Sequence, residues 1–255
     1  MNLYESFVIA FSMYSRIPMP KVEWSEKGMK YAMCFFPFVG IVLGLLMYAC
    51  LWFLSWISAS QLTRAVVLTV LPVMLTGGIH VDGWIDTSDA LQSWQTTERK
   101  LEILKDPHVG AFGVIRCVVY FLITLAVMGE MNQAMMALYL GGLFLSRTLS
   151  GLSVVWFPCA KNSGLAATFA DGAAKRKVRA VFLLYLAAAF VYQAVMGKGS
   201  GCLLVLGAVL SFWYYHQMSR KQFGGITGDL AGYFLCVCEM VMGICLVIAH
   251  YGGWI

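Results

Sequence analysis

From Tyr31 to Ile57 the chain passes through 27 residues without a charged side chain, and six more apolar runs follow at about 64–81, 111–129, 133–158, 179–197, 200–217 and 230–251. Roughly 20 residues, rising 1.5 Å each, are enough to cross a hydrocarbon layer about 30 Å thick. Inside that layer no water satisfies the backbone amides, so each run must close its own hydrogen bonds as a helix. The expected fold is all-α: a polytopic integral membrane protein with about seven transmembrane helices, residues 1–255 forming a single membrane-embedded domain. Residues 3–15 are too short to cross and carry Glu5, which predicts an interfacial helix ahead of the first span. With no Lys or Arg before Arg16, a cleaved secretory signal is not expected.

Only 12% of the residues are charged, against about 25% in an ordinary soluble domain, so their positions carry information. If the N-terminus is cytoplasmic, alternate crossings put the loops near 16–30, 82–110, 159–179 and 218–229 on that same side. Fourteen of the eighteen Lys and Arg residues then lie there, against Lys198 and the border residue Arg64 opposite, with Arg116 and Arg147 inside spans. This bias is the one that cytoplasmic loops carry, and it predicts a multi-pass protein of the cell (inner) membrane with its polar motifs facing the cytoplasm. It also accounts for the net charge of +5 without invoking nucleic acid; the expected surroundings are membrane lipid, with Lys161, Asn162 and the Lys175-Arg176-Lys177 run as anchoring and lipid contacts. The eight cysteines lie almost wholly in apolar runs with no Cys-x-x-Cys pair, which reads as packing and implies neither disulfides nor a zinc site.

The segment 82–110 holds six of the thirteen acidic residues. Asp82, Asp86 and Asp89 stand at i, i+4 and i+7, so a helix through them gathers the three carboxylates within an arc of roughly 60°. Such carboxylates repel one another unless a cation neutralises them, and hard oxygen ligands suit Mg²⁺ or Mn²⁺ with room for water and phosphate. The alternative is a solvated acidic helix face. His80, two residues away, is a candidate for catalysis or substrate orientation, or for a hydrogen bond that braces the segment. Further on, Lys105, Asp106 and His108 flank Pro107 and precede Gly110 and Gly113. A lysine, an acid and exposed amides suit a polyphosphate, although Asp-Pro before Gly is also ordinary turn chemistry. Gly224, Gly225, Thr227, Gly228 and Asp229 stand just before the last span and form a plausible phosphate or nucleotide cradle; no Gly-Lys-Ser/Thr follows, so this is not a Walker A loop. Arg116, Arg147 and Glu239 fall within spans, where an ionisable group needs a partner or a polar cavity. They are read either as diphosphate contacts or as an ion pair between helices.

Taken together, Gly77-Gly-Ile-His-Val-Asp-Gly-Trp-Ile-Asp-Thr-Ser-Asp89, Lys105-Asp-Pro-His-Val-Gly-Ala-Phe-Gly113 and Gly224-Gly-Ile-Thr-Gly-Asp229 resemble the cobalamin synthase family, the adenosylcobinamide-GDP ribazoletransferases. Ser15-Arg-Ile-Pro-Met-Pro20 and Phe36-Pro-Phe-Val-Gly40 extend the resemblance over essentially the whole chain; Ala90 and Leu230-Ala231 are mild departures. The resemblance implies a Mg²⁺-dependent membrane transferase that joins adenosylcobinamide-GDP to α-ribazole, or its 5′-phosphate, and releases GMP. It implies Asp82, Asp86 and Asp89 as metal ligands with Asp106 as a fourth candidate, one of these or His80 as the proton acceptor, and Gly224–Asp229 with Arg147 as nucleotide and diphosphate contacts. A CDP-alcohol phosphatidyltransferase also uses clustered membrane aspartates, but its Asp-Gly-x-x-Ala-Arg is missing, since Trp84, Ile85 and Asp86 follow Asp82-Gly83. A cation-coupled transporter should hold its acids near the midplane, not in one polar segment.

In a background without native cysteines, a cysteine at Thr96 is expected to resist an impermeant thiol reagent applied to intact cells, and one at Asn132 to react. The opposite labelling pattern inverts the topology.

Overall fold

The computed structural model describes residues 3–160 and 164–255, so Lys161 and Asn162, read above as anchoring residues, lie outside the described residues. Ten helices follow in order: α1 (Leu3–Tyr14), α2 (Glu26–Trp56), α3 (Gln61–Thr76), α4 (Ile79–Gln92), α5 (Thr97–Ile103), α6 (Ala111–Glu130), α7 (Gln133–Trp156), α8 (Leu165–Gly172), α9 (Lys175–Phe223) and α10 (Gly228–Tyr251). Their starts are set by side chains that accept the otherwise unpaired first-turn amides. Ser25 accepts from Gly28, Ser60 from Thr63, Asn132 from Met135 and Thr227 from Leu230.

Five helices, α2, α6, α7, α9 and α10, are long and apolar enough to cross a membrane, or six spans if the bent pair α3 and α4 counts as one. The all-α, polytopic expectation holds at that level. α7 lies at the centre, 89% of its apolar window being buried against α2, α9 and α10, whereas the corresponding figures for α6 and α9 are 17% and 22%. The outward faces of those two helices, Val114, Ile115, Val118 and Leu122 on one and Leu183, Leu184, Val191 and Val195 on the other, are large and apolar. In water this would be a costly surface; in lipid it is the stable one.

Two of the expected boundaries change. The run at 64–81 ends early, because Gly77 and Gly78 both take positive φ (67° and 80°), a pair of backbone states that only glycine adopts without strain, and α4 leaves at 94° to α3. Asp82, Asp86 and Asp89 sit on this helix, as their spacing implies, and it turns sharply away from the direction of α3. The runs at 179–197 and 200–217 join in the 49-residue α9, about 74 Å if straight. It is not straight. Lys198 has φ 47° and ψ −122°, and a Cβ on Gly201 would overlap the Gln193 carbonyl eight residues back, which is only attainable where the chain reverses.

Within the bundle the Arg147 guanidinium lies 2.6 Å from the Glu239 carboxylate and also donates to the Leu143 carbonyl and the Ser146 hydroxyl. Arg147 is only 1% exposed. The interhelical ion pair, one of two readings of these residues, is therefore the one present. Arg116 is not a buried charge as expected: it is exposed near the start of α6, where a long side chain reaches the polar end of the helix. Cys34, Cys236, Cys238 and Cys245 are buried in the packed interior, whereas Cys202 is exposed and Cys50, Cys117 and Cys159 are half-buried.

Because removing one partner strands a buried charge, Glu239→Leu is expected to destabilise the protein by about 3–5 kcal/mol. The double variant Arg147→Met with Glu239→Leu should recover most of the loss, read as the unfolding temperature in detergent.

Candidate active site

α4 and α10 approach as closely as two backbones can. A Cβ on Gly83 would stand 2.5 Å from the Asp229 carbonyl oxygen and 3.0 Å from its Cα, so only a residue without a side chain allows this crossing. A second glycine on α10, Gly232, meets the His80 backbone one turn further in. Trp84 secures the same crossing from α4, stacking on Tyr233 of α10 at 5.0 Å and donating its indole N–H to the Arg116 carbonyl of α6 at 3.2 Å. These contacts bring the acids of the first and third motifs together although they are far apart in the chain.

Asp86 is at the middle of the resulting cluster. Partial burial, then the charges of Asp82, Asp229 and Asp89 in that order, push its carboxyl up to about 6. Like charges held together in this way disfavour ionisation unless a cation joins them. The donor set is all carboxylate oxygen, which suits a hard divalent ion such as Mg²⁺ that keeps several waters. Among the described residues no three His, Cys, Asp or Glu side chains already converge into a metal-binding group. The donor type therefore fits a hard divalent ion, while the side chains as placed do not themselves form a closed site for one.

Asp89 is held at the edge. Its carboxylate lies against Gly110, where a Cβ would overlap it, and accepts the Gly113 amide at 3.3 Å. The amides read above as polyphosphate contacts therefore meet an aspartate at the start of α6, a favourable end of the helix dipole for a negative group. Asp106 is not brought to the cluster: it accepts the His108 amide at 2.9 Å and pairs with the His108 ring at 2.8 Å on the exposed surface. Asp229 stands beside Asp82 and Asp86 because α10 crosses α4 at Gly83, whereas the Asp106 carboxylate is taken up by its own His108. Lys105 is likewise exposed.

The glycine-rich segment divides in two. The Gly224 and Gly225 amides bond back to Arg220 and Ser219 to end α9, and Ile226 pairs with Pro158, so these amides are occupied and do not cradle an anion as expected. Thr227 caps α10, and Gly228 and Asp229 line a cavity. That cavity, about 270 Å³, lies between α1, α2, α4, α7, α8 and α10, with Asp82 and Asp229 among its lining residues together with His80, Tyr14, Phe36 and Phe169. Arg147 is not among them; it lines a smaller neighbouring space with Glu239, and His80 borders both. Tyr14, Ser150 and Phe169 escaped sequence reasoning because each belongs to an apolar or amphipathic stretch with no motif of its own. α8 lies in a segment read as an anchoring loop, and its contribution of Ala166 and Phe169 to the cavity appears only when the helices are packed.

The fold defines a multi-pass helical membrane protein whose site brings carboxylates from α4 and α10 to one cavity. The description Cobalamin-5-phosphate synthase matches residues 6–247, and the chain belongs to that family. Proteins named adenosylcobinamide-GDP ribazoletransferase are similar along nearly their whole length. One from Lachnoclostridium phytofermentans is 42% identical, covering 98% of this chain and 96% of its own. Those from Clostridium perfringens strain SM101 and Desulfitobacterium hafniense are 33% and 32% identical, covering 96% and 91% of this chain and 97% and 92% of theirs. No solved structure matches.

Asp229→Asn is expected to lower turnover on the order of 10²- to 10³-fold, the usual cost of losing electrostatic stabilisation of a reacting phosphoryl group. Asp106→Asn should cost less than tenfold in the same assay. Equal losses would return Asp106 to the site.

Proposed function

We propose that this chain is a Mg²⁺-dependent adenosylcobinamide-GDP ribazoletransferase, taking α-ribazole or its 5′-phosphate as the acceptor. The observation that carries this reading is the meeting of Asp82 and Asp229, from two separate motifs, at one cavity with Asp86 beside them. In the reaction a ribose hydroxyl oxygen bonds to the phosphorus that carries the cobinamide. The bond from that phosphorus to the bridging oxygen breaks, and GMP leaves with that oxygen. Asp82, Asp86 and Asp229, with Asp89 at the edge, would hold Mg²⁺, which when bound offsets the charge of the diphosphate and of the transition state. A carboxylate of this cluster not engaged by the ion accepts the hydroxyl proton. The Arg147–Glu239 pair keeps α7 and α10 in register beneath the site. Its role is positioning, not diphosphate contact.

The reversal of α9 at Lys198 supports two crossings by that helix. With α2, the α3–α4 pair, α6, α7 and α10 this makes seven, and the alternation puts α4, α8 and the start of α10 on one side. The excess of Lys and Arg in the loops on that side supports a cytoplasmic active site. The corrinoid and its nucleotide then approach from the cytoplasm of a cell whose inner membrane carries the enzyme.

Purified protein in detergent, given adenosylcobinamide-GDP and α-ribazole, should release GMP with Mg²⁺ and not after chelation. Asp86→Asn, which nearly preserves shape, should cut the rate on the order of 10²- to 10³-fold and raise the Mg²⁺ concentration needed. Asp171→Asn, which alters an exposed acid of α8 on the same side, should change neither. An active Asp86→Asn enzyme with unaltered Mg²⁺ dependence removes that residue from the metal site.

A further inference from the structure

Three features of the cavity bear on which of the two substrates it holds. The first is size. About 270 Å³ sits just below the roughly 300–1,000 Å³ of pockets for drug-sized ligands, enough for a nucleoside with a bicyclic base and far too little for a corrin.

The second is the wall. Tyr14 packs on Phe36 with ring centroids 4.1 Å apart and on Phe169 at 6.0 Å, while the His80 ring lies 6.4 Å from Tyr14 and 6.3 Å from Phe36. Met33, Val154 and Leu235 complete an apolar lining. Flat aromatic ligands are held by such surfaces through offset and edge contacts.

The third is a single unmet polar atom. His80 is 8% exposed, and its Nε2 is buried without a hydrogen-bond partner. The His80 ring borders the cavity, and a ring nitrogen turned toward a ligand recovers the roughly 1–3 kcal/mol that an unpaired buried polar atom costs.

Guanine carries several donors and acceptors along its edges, and away from Asp82, Asp229, Ser150 and Tyr14 the walls offer them no partner. A benzimidazole carries one imine nitrogen and otherwise only carbon at its edge. We propose that this cavity is the seat of the α-ribazole base: the ring lies among Tyr14, Phe36 and Phe169, its imine nitrogen accepts a hydrogen bond from the His80 ring, and its ribose points out between Asp82 and Asp229. The guanosine diphosphate and the corrin stay outside, meeting the acids from the open side. His80 is then a positioning residue for the acceptor and not the proton acceptor. This assignment rests on the ribazoletransferase reading and refines it.

The test is steady-state kinetics of the purified protein with each substrate varied in turn. Phe169→Ala is expected to raise KM for α-ribazole about tenfold, as for loss of an aromatic contact, while KM for adenosylcobinamide-GDP stays within twofold. His80→Ala should shift the same KM in the same direction, with kcat at saturating α-ribazole reduced by less than threefold. A rise confined to the KM for adenosylcobinamide-GDP, or an equal rise in both, overturns the placement. Wild-type protein supplies an independent measure if Phe169→Ala does not fold. GMP should compete with adenosylcobinamide-GDP and not with α-ribazole, and competition with α-ribazole overturns the placement. Absence of GMP release by the wild-type protein with both substrates and Mg²⁺ defeats the ribazoletransferase reading itself; turnover with the wrong KM pattern defeats only the assignment of the cavity.

Discussion

The close crossing of α4 and α10 at Gly83 is the contact on which the site depends. Asp229 is brought beside Asp82 and Asp86 only because nothing intervenes between the two backbones at that point. A single methyl group would push α10 outward and take one of the three acids with it. The pair of glycines at 77 and 78 acts on the same geometry from the other side, since without the right-angle turn α4 would continue along α3 and its acids would be carried away from the start of α10.

The surrounding bundle follows from the absence of water around it. The outward sides of α6 and α9 are largely apolar, and Arg147, buried in the middle of the bundle, is neutralised there by Glu239. Polar chemistry is left to the helix ends on one side, where α1, α4, α8 and the first turn of α10 gather. An enzyme that transfers a phosphoryl group between large soluble substrates has reason to keep its acids there.

Much of the fold could be read from residue order. A long apolar run without charge has one low-energy conformation in lipid, so helices at 26–56, 111–130, 133–156 and 228–251 lie within a few residues of the expected spans. The acidic stripe was equally legible, because the spacing of Asp82, Asp86 and Asp89 depends on helix pitch alone. The turn chemistry of 105–113 and 224–229 was harder. Glycine-rich segments serve ligand contact and chain reversal equally well, and whether an amide is free depends on what packs against it. Here Arg220, Ser219, Pro158 and Asp89 claim the Gly224, Gly225, Ile226 and Gly113 amides.

What the sequence determined by itself was the membrane-crossing helical class, the family, and the acids on which a reaction could rest, since these follow from hydropathy, periodicity and motif order. Which of those acids meet was decided by tertiary structure. Asp229 joins the cluster and Asp106 does not; Arg147 pairs with Glu239 and stays out of the cavity; Tyr14, Phe36 and Phe169, from three separate helices, become one wall. The physical reason is that helix pitch and hydropathy act over a few residues and can be read along the chain, whereas the angle of a glycine-mediated turn and the closeness of two backbones depend on atoms that sequence order leaves far apart.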